Sequence, residues 1–329
     1  MLILTGDDVR RALPMAAAMD AVERAFAQLA AGQAEVPLRP HVGVPEADGL
    51  LLVMPAYLSE SGALAVKALT IFPHNSECHG LPAIAALVTL FDATNGVPLA
   101  LLDASYLTAL RTGAASGVAT RLLARQDART LALFGAGAQA LPQAWAVCVA
   151  RQIARIWLVN RTGAHAERLA AELRAFGEPI PADVRIAASA HEALAEADVI
   201  CTATASSVPL FADGDVRPGA HLNAIGAYRP AMREIPGETV ARARVVVDAR
   251  AAAWAEAGEL VLARDEGLIG ADHVAAELGE IALGRATGRT DPDQITLFKS
   301  VGNAAQDAAA AQAAYARARA LGIGTAMEL

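Results

Sequence analysis

Cysteine is scarce in this chain of 329 residues: Cys78, Cys148 and Cys201 are widely separated and form no CxxC pair. An odd, scattered set excludes a disulfide framework and a zinc knuckle and suits a reducing, cytoplasmic setting. A basic excess is lacking too. The formal charge of -8 argues against general attraction to nucleic acid or an anionic membrane and leaves only local basic pockets for anions. No uninterrupted apolar run approaches a membrane span, and the start, Met1-Leu2-Ile3-Leu4-Thr5-Gly6-Asp7-Asp8, lacks the basic region of a signal peptide. His41, His74 and His79 come without HxH, HExxH or acidic clusters, so no metal is expected. There is no GxSxG elbow for nucleophilic hydrolysis. Aromatics make up only 4%. These absences leave a small-molecule protein, and hydride chemistry as its best class.

What is present is apolar residue, 54% of the chain against 19% charged, enough for a compact protein with many helices. The length favours two domains. Met19, Val22, Phe26 and Leu29 recur at helical spacing between Pro14 and Gly32. From Gly49 to Leu102 the pattern is β: Leu50 to Met54, Leu64 to Phe72, Ile84 to Phe91 and Pro98 to Leu102, with Asn95-Gly96 as a hairpin turn, which predicts an antiparallel sheet. After a helical stretch from Asp103 to Ala124, apolar strands alternate with helices. The predicted strands are Leu131 to Phe134, Ile156 to Val159, Val184 to Ile186, Val199 to Cys201, His221 to Ile225, Val245 to Asp248 and Ile295 to Phe298. This is the signature of βαβ units. The fold class is therefore α/β: a Rossmann doubly wound parallel sheet over 113–302, plus an N-terminal α+β domain with an antiparallel sheet over 1–112. The Ala-rich helix Asn303 to Leu321 belongs to no βαβ unit, so 303–329 is expected to complete the N-terminal domain.

The strand Leu131 to Phe134 runs into Gly135-Ala136-Gly137-Ala138-Gln139-Ala140, a GxGxxA turn opening a helix. Gly135 permits the tight turn, Gly137 lets backbone approach a pyrophosphate, and Ala140 allows the helix to pack close on the strand. The second strand ends in Asn160-Arg161-Thr162, where an NAD-specific enzyme usually places an acid for the ribose hydroxyls. A guanidinium and a hydroxyl suit a 2′-phosphate instead, so NADPH/NADP is expected, with NAD as the alternative. Thr202 and Thr204, after the fourth strand, and Ile225, at the end of the fifth, complete the expected cofactor set.

Three cations stand out on the substrate side: Arg39 in a Pro-rich segment, Lys67 amid the apolar run Leu64-Ala65-Val66-Lys67-Ala68-Leu69, and Arg111 in Leu110-Arg111-Thr112-Gly113. An ammonium in such a strand must reach water, pair, or face a polar pocket. Together the three would hold a substrate carboxylate. Each is otherwise a surface or structural residue.

The order of these features resembles the ornithine cyclodeaminase and mu-crystallin family along essentially the whole chain. The likeness rests on Val53-Met54-Pro55-Ala56-Tyr57, Leu107 to Ala114, the GxGxxA turn, Asn160-Arg161-Thr162, Pro218 to Gly226 and Thr296 to Gly302. It implies a homodimer built through the N-terminal sheet, a substrate held between the domains, and Arg39, Lys67 and Arg111 as its carboxylate-binding cations. Cyclodeaminases in the family carry a catalytic Asp where this chain has Tyr228, and a Glu where it has Leu52-Val53; a substrate-site Thr aligns with Ala83. A Tyr of ordinary pKa, about 10, is no carboxylate base. These departures favour the mu-crystallin-like ketimine reductases, with Lys67, Arg111 and Tyr228 at the reacting centre and a small imino or amino acid as substrate. Ornithine cyclodeaminase, alanine dehydrogenase and a non-catalytic NADPH-binding protein are the alternatives.

Overall fold

The computed structural model describes residues 1–328. Two compact units emerge from the contacts within the chain: Met1–Arg111 joined by the chain from Asn303 onward, and Thr112–Gly302.

The first unit is a sheet backed by helices. Its strands are β1 (Leu2–Leu4), β2 (Ala34–Glu35), β3 (His41–Val44), β4 (Gly49–Leu58), β5 (Ala63–Ile71), β6 (Ile84–Asp92) and β7 (Pro98–Asp103). The order is Thr325–Ala326, β1, β7, β6, β5, β4, β2, with β3 also on β4. Strands β4 to β7 pair antiparallel as their spacing predicts, and Gly96 takes φ +78° in the turn between β6 and β7. The structure adds β1, which lies parallel to β7. A parallel neighbour is joined through a distant crossover rather than a local turn, so no sequence punctuation marks it.

Alternation along β5 sends Ala63, Ala65 and Lys67 to one buried face. The helices Met15–Ala30 and Ala304–Leu321 pack with each other, and the latter also packs on β4, β5 and β6. Met15, Met19, Val22 and Phe26 supply the core side of the first helix, each stabilising by about 1.5–3 kcal/mol through burial. The closing helix begins at an Asn303 cap, whose side chain accepts from the Gln306 N–H, and stops at Gly322 with φ +65°. Its alanines are small enough for a close approach, which carries Gln306 and Asp307 into the interior.

The second unit is a fully parallel sheet of β8 (Thr130–Phe134), β9 (Arg155–Val159), β10 (Val184–Ile186), β11 (Val199–Thr202), β12 (His221–Ala224), β13 (Arg244–Val247), β14 (Val274–Glu277) and β15 (Thr296–Lys299). The order is β10-β9-β8-β11-β12-β15-β13-β14. The chain order reverses between β8 and β11, and ligands of doubly wound sheets bind beyond the carboxyl ends of the strands at such a point. The edge strand β14, in Val274-Ala275-Ala276-Glu277, is too short and alanine-rich to stand out in the sequence. Among the described residues no helix is long and apolar enough to cross a membrane.

Candidate functional site

At the reversal point Gly135 takes φ +102°, and a Cβ there would lie 2.6 Å from the Ala203 carbonyl oxygen, so only glycine lets this turn pass the loop after β11. Nothing lies within 4 Å of the place a Cβ on Gly137 would occupy. Its backbone is thus open to approach. A cleft of about 470 Å³ begins here, lined by Ala136, Gly137, Ala138 and Asn160 and, from the next helix, by His165 and Arg168. Gln139 caps the helix Ala140–Ala150 without a side-chain bond, and its buried Oε1 has no partner within the protein. Open backbone at a helix start, next to the Arg168 guanidinium, fits a dinucleotide's phosphates.

Asn160 donates from Nδ2 to the Thr162 carbonyl at 2.9 Å, Arg161 is exposed, and Thr162 stands at the N-cap of the helix Gly163–Phe176 with no side-chain capping bond. Sequence reasoning missed His165 and Arg168. Their i, i+3 spacing puts them on one helix face, which in an exposed helix reads as ordinary solvation.

Thr202 and Thr204 turn inward. Thr202 Oγ1 donates to Glu234 at 2.9 Å, and the N–H and Oγ1 of Thr204 donate to the same carboxylate at 2.6 and 2.8 Å. The Gly226 N–H joins them at 2.8 Å. A Cβ on Gly226 would fall 2.2 Å from the Thr204 carbonyl, so glycine is required where these two loops meet. Burial pushes the Glu234 carboxyl up, against the pull of the Lys299 charge. Lys299 is fully buried on β15, pairs with Glu259 at 3.0 Å, and donates to the carbonyl of Ala227. Glu259 in turn accepts from the Glu234 N–H at 3.2 Å. Ile225 is buried and bonds the Thr202 carbonyl through its N–H. Tyr228, two residues beyond Gly226, is exposed with the Arg229 guanidinium 5.4 Å from its ring centre.

In the first unit, Lys67 and Arg111 meet at a residue the sequence did not single out. Lys67 Nζ lies 2.6 Å from Asp307 Oδ2, and Arg111 donates from Nε to Asp307 Oδ1 at 3.0 Å and from Nη1 to Gln306 Oε1 at 2.6 Å. All three charged groups are buried, at 1%, 6% and 2% exposure. Burial pulls the Lys67 ammonium down to about 8; Asp307 opposes this, while Arg111 and the half-buried Arg39 lower it further. The amide nitrogens of Asn303 and Gln306 are buried donors without an acceptor in the protein. Among the described residues the site thus sets three cations and two donor amides against one carboxylate, chemistry suited to an anion.

A parallel Rossmann sheet with an open glycine turn, and a buried cation cluster able to take a carboxylate, define a dinucleotide-dependent enzyme of small acids. The model of the ornithine cyclodeaminase/mu-crystallin family matches residues 1–322, and the chain belongs to that family. It is 38% identical over 330 residues, 100% of both chains, to a Delta(1)-pyrroline-2-carboxylate reductase of Bacillus cereus. The structure of Thermococcus litoralis Delta(1)-pyrroline-2-carboxylate reductase in complex with NADH and L-proline superposes with TM-score 0.93 at 39% identity, covering 99% of this chain and 100% of that one. An archaeal alanine dehydrogenase dimer with bound NAD gives 0.91 at 34% identity, covering 100% and 99%.

Proposed function

We propose that this protein reduces a small imine bearing a carboxylate, of the Δ1-pyrroline-2-carboxylate kind, with NADPH or NADH. The buried cluster around Lys67 carries this reading: excess positive charge to hold a carboxylate, and an ammonium whose proton is exchangeable near neutrality. Arg111 and Arg39 bind the carboxylate. Lys67 supplies the proton that the imine nitrogen needs as its C=N becomes CH–NH, and Asn303 and Gln306 add donors. A bound nicotinamide supplies the hydride. Asp307 is committed to two cations and Tyr228 is no carboxylate, which speaks against a base for ornithine cyclisation. The turn Gly135-Ala136-Gly137-Ala138-Gln139 holds the pyrophosphate, and Asn160, Arg161 and Thr162 the ribose phosphate of NADP. Thr202, Thr204 and Ile225 shape the adjoining wall. Exposed Val42, Tyr57, Ile84 and Leu87 on the first sheet support a homodimer, and the free thiols a cytoplasmic setting.

The test is NADPH and NADH oxidation against five- and six-membered cyclic ketimine carboxylates and against pyruvate with methylamine or ammonia, beside ornithine-dependent ammonia release. Turnover on a cyclic imine is expected, with kcat/KM falling above about pH 8 as Lys67 loses its proton. Ammonia released from ornithine without imine reduction would overturn the reading. Activity confined to pyruvate and ammonia would move it to an alanine dehydrogenase, and dinucleotide binding without turnover to a binding protein.

A further inference from the structure

Of the 27 lysines and arginines in this chain, only Lys67 and Lys299 are lysine. Both are buried. Arginine serves at every other cationic position, so these two keep a compact ammonium, and at Lys67 the difference is chemical: a lysine can release its proton near neutrality and an arginine cannot. We propose that Asp307 is the positioning residue of the carboxylate site, fixing Lys67 and Arg111 in one arrangement and providing the counter-charge that keeps Lys67 protonated in the interior. The effect on turnover rests on the reading of Lys67 as proton donor; the effect on Lys67 itself does not.

The charges around Lys67 leave this role to Asp307. The connecting helix Ala104–Leu123 brings Arg111, and the segment before β3 brings Arg39, both cationic. Across the sheet its register partners are Met54 on β4 and Val88 on β6, both apolar. The closing helix brings Gln306, which is neutral, and Asp307, which lies 2.6 Å from the ammonium. Without that carboxylate, a desolvated ammonium would face two guanidinium groups. The cheapest relief is loss of its proton. Asp307 also ties Arg111 through Nε while Gln306 takes Nη1, so the guanidinium is oriented before a substrate arrives. A plainer role exists: an acid in the first turn of a helix favours the helix dipole. That role would leave Lys67 untouched.

With two lysines in the chain, protein grown on lysine labelled with 13C at Cε gives two side-chain resonances, and that of Lys67 can be titrated directly. In the wild type the Lys67 signal should turn over near pH 8. In Asp307→Asn its midpoint should fall by at least about one pH unit, a tenfold loss of proton affinity, while the same labelled sample of the wild type serves as the reference. Asp307→Glu, which keeps the charge, should restore most of it. An unchanged midpoint in Asp307→Asn overturns the proposal. If Asp307→Asn does not fold, the triple variant Lys67→Met/Arg111→Met/Asp307→Asn removes both cations and their counter-charge together and should fold; its failure would assign Asp307 to the helix alone. In assays, the alkaline limb of kcat/KM should move down by the same interval, leaving Asp307→Asn nearer the wild type at pH 6 than at pH 8. A chain that reduces no imine would defeat the proposed function, and the titration would still decide the role of Asp307.

Discussion

The two buried lysines sit in opposite surroundings. Among the described residues that set the charge of Lys67, the cations Arg111 and Arg39 outnumber the one carboxylate, Asp307, and two amide donors stand without acceptors in the protein. Around Lys299 the carboxylates outnumber the cation: Glu259 pairs with it, and Glu234 is bonded by Thr202, Thr204 and Gly226. Both clusters oppose the cost of burying charge, but only the second does so with its own groups. A cluster completed from within is framework, and one left with positive charge has capacity for an anion. In the second unit, the Lys299–Glu259–Glu234 chain ties the loop after β11 to the loop after β12, so it holds the wall beside the glycine turn.

The sharpest way to break this contrast is to make the same substitution at both lysines. Lys67→Met should leave the fold intact, since it removes a buried charge from a cation-rich site, and should cut imine turnover by about a hundredfold or more. Lys299→Met strands Glu259 in the interior and should cost about 3–5 kcal/mol of stability, read as a lower denaturation midpoint. The contrast fails if Lys67→Met unfolds the protein or Lys299→Met leaves its stability unchanged.

A smaller effect is expected at the cofactor cleft. Arg161→Ala should reduce kcat/KM with NADPH by about tenfold and leave NADH nearly unaffected, as expected for one lost charge-assisted contact to a phosphate. If Arg161→Ala is silent while Arg168→Ala produces that loss, the phosphate lies on the helix face and not on the turn.

The glycine turn was legible in the sequence because its geometry is local: β8, Gly135, Gly137 and the following helix are contiguous. Lys67 was legible as an anomaly, an ammonium in an apolar strand. Asp307 was not. It is 240 residues from Lys67, in a helix where one acid among alanines reads as a first-turn dipole partner or a solvated side chain. Glu234 and Glu259 escaped for a similar reason, since acids in Met232-Arg233-Glu234-Ile235 and Gly258-Glu259-Leu260 look unremarkable until the sheet order brings β11, β12 and β15 side by side. Thr204 lies after the fourth strand as predicted, whereas Thr202 is the last residue of that strand, β11, and the hydroxyl partner of both was set by tertiary contact.

The contrast between the two units extends to the thiols, where the expected effect is smallest and the measurement simplest. Cys78 is exposed on the first unit. Cys148, on the helix Ala140–Ala150, and Cys201, on β11, are buried in the second, and burial pushes both up to about 12. Only a thiolate reacts with a disulfide reagent, so at pH 8 both buried groups are protonated as well as shielded. Native protein should therefore release one equivalent of thiol chromophore rapidly, from Cys78, and the other two only on unfolding. Cys78→Ser should abolish the fast phase without altering imine reduction. A second fast thiol in native protein would mean that the second unit opens readily around β8 and β11, and the view of its Glu234–Lys299 chain as a closed framework would fall with it.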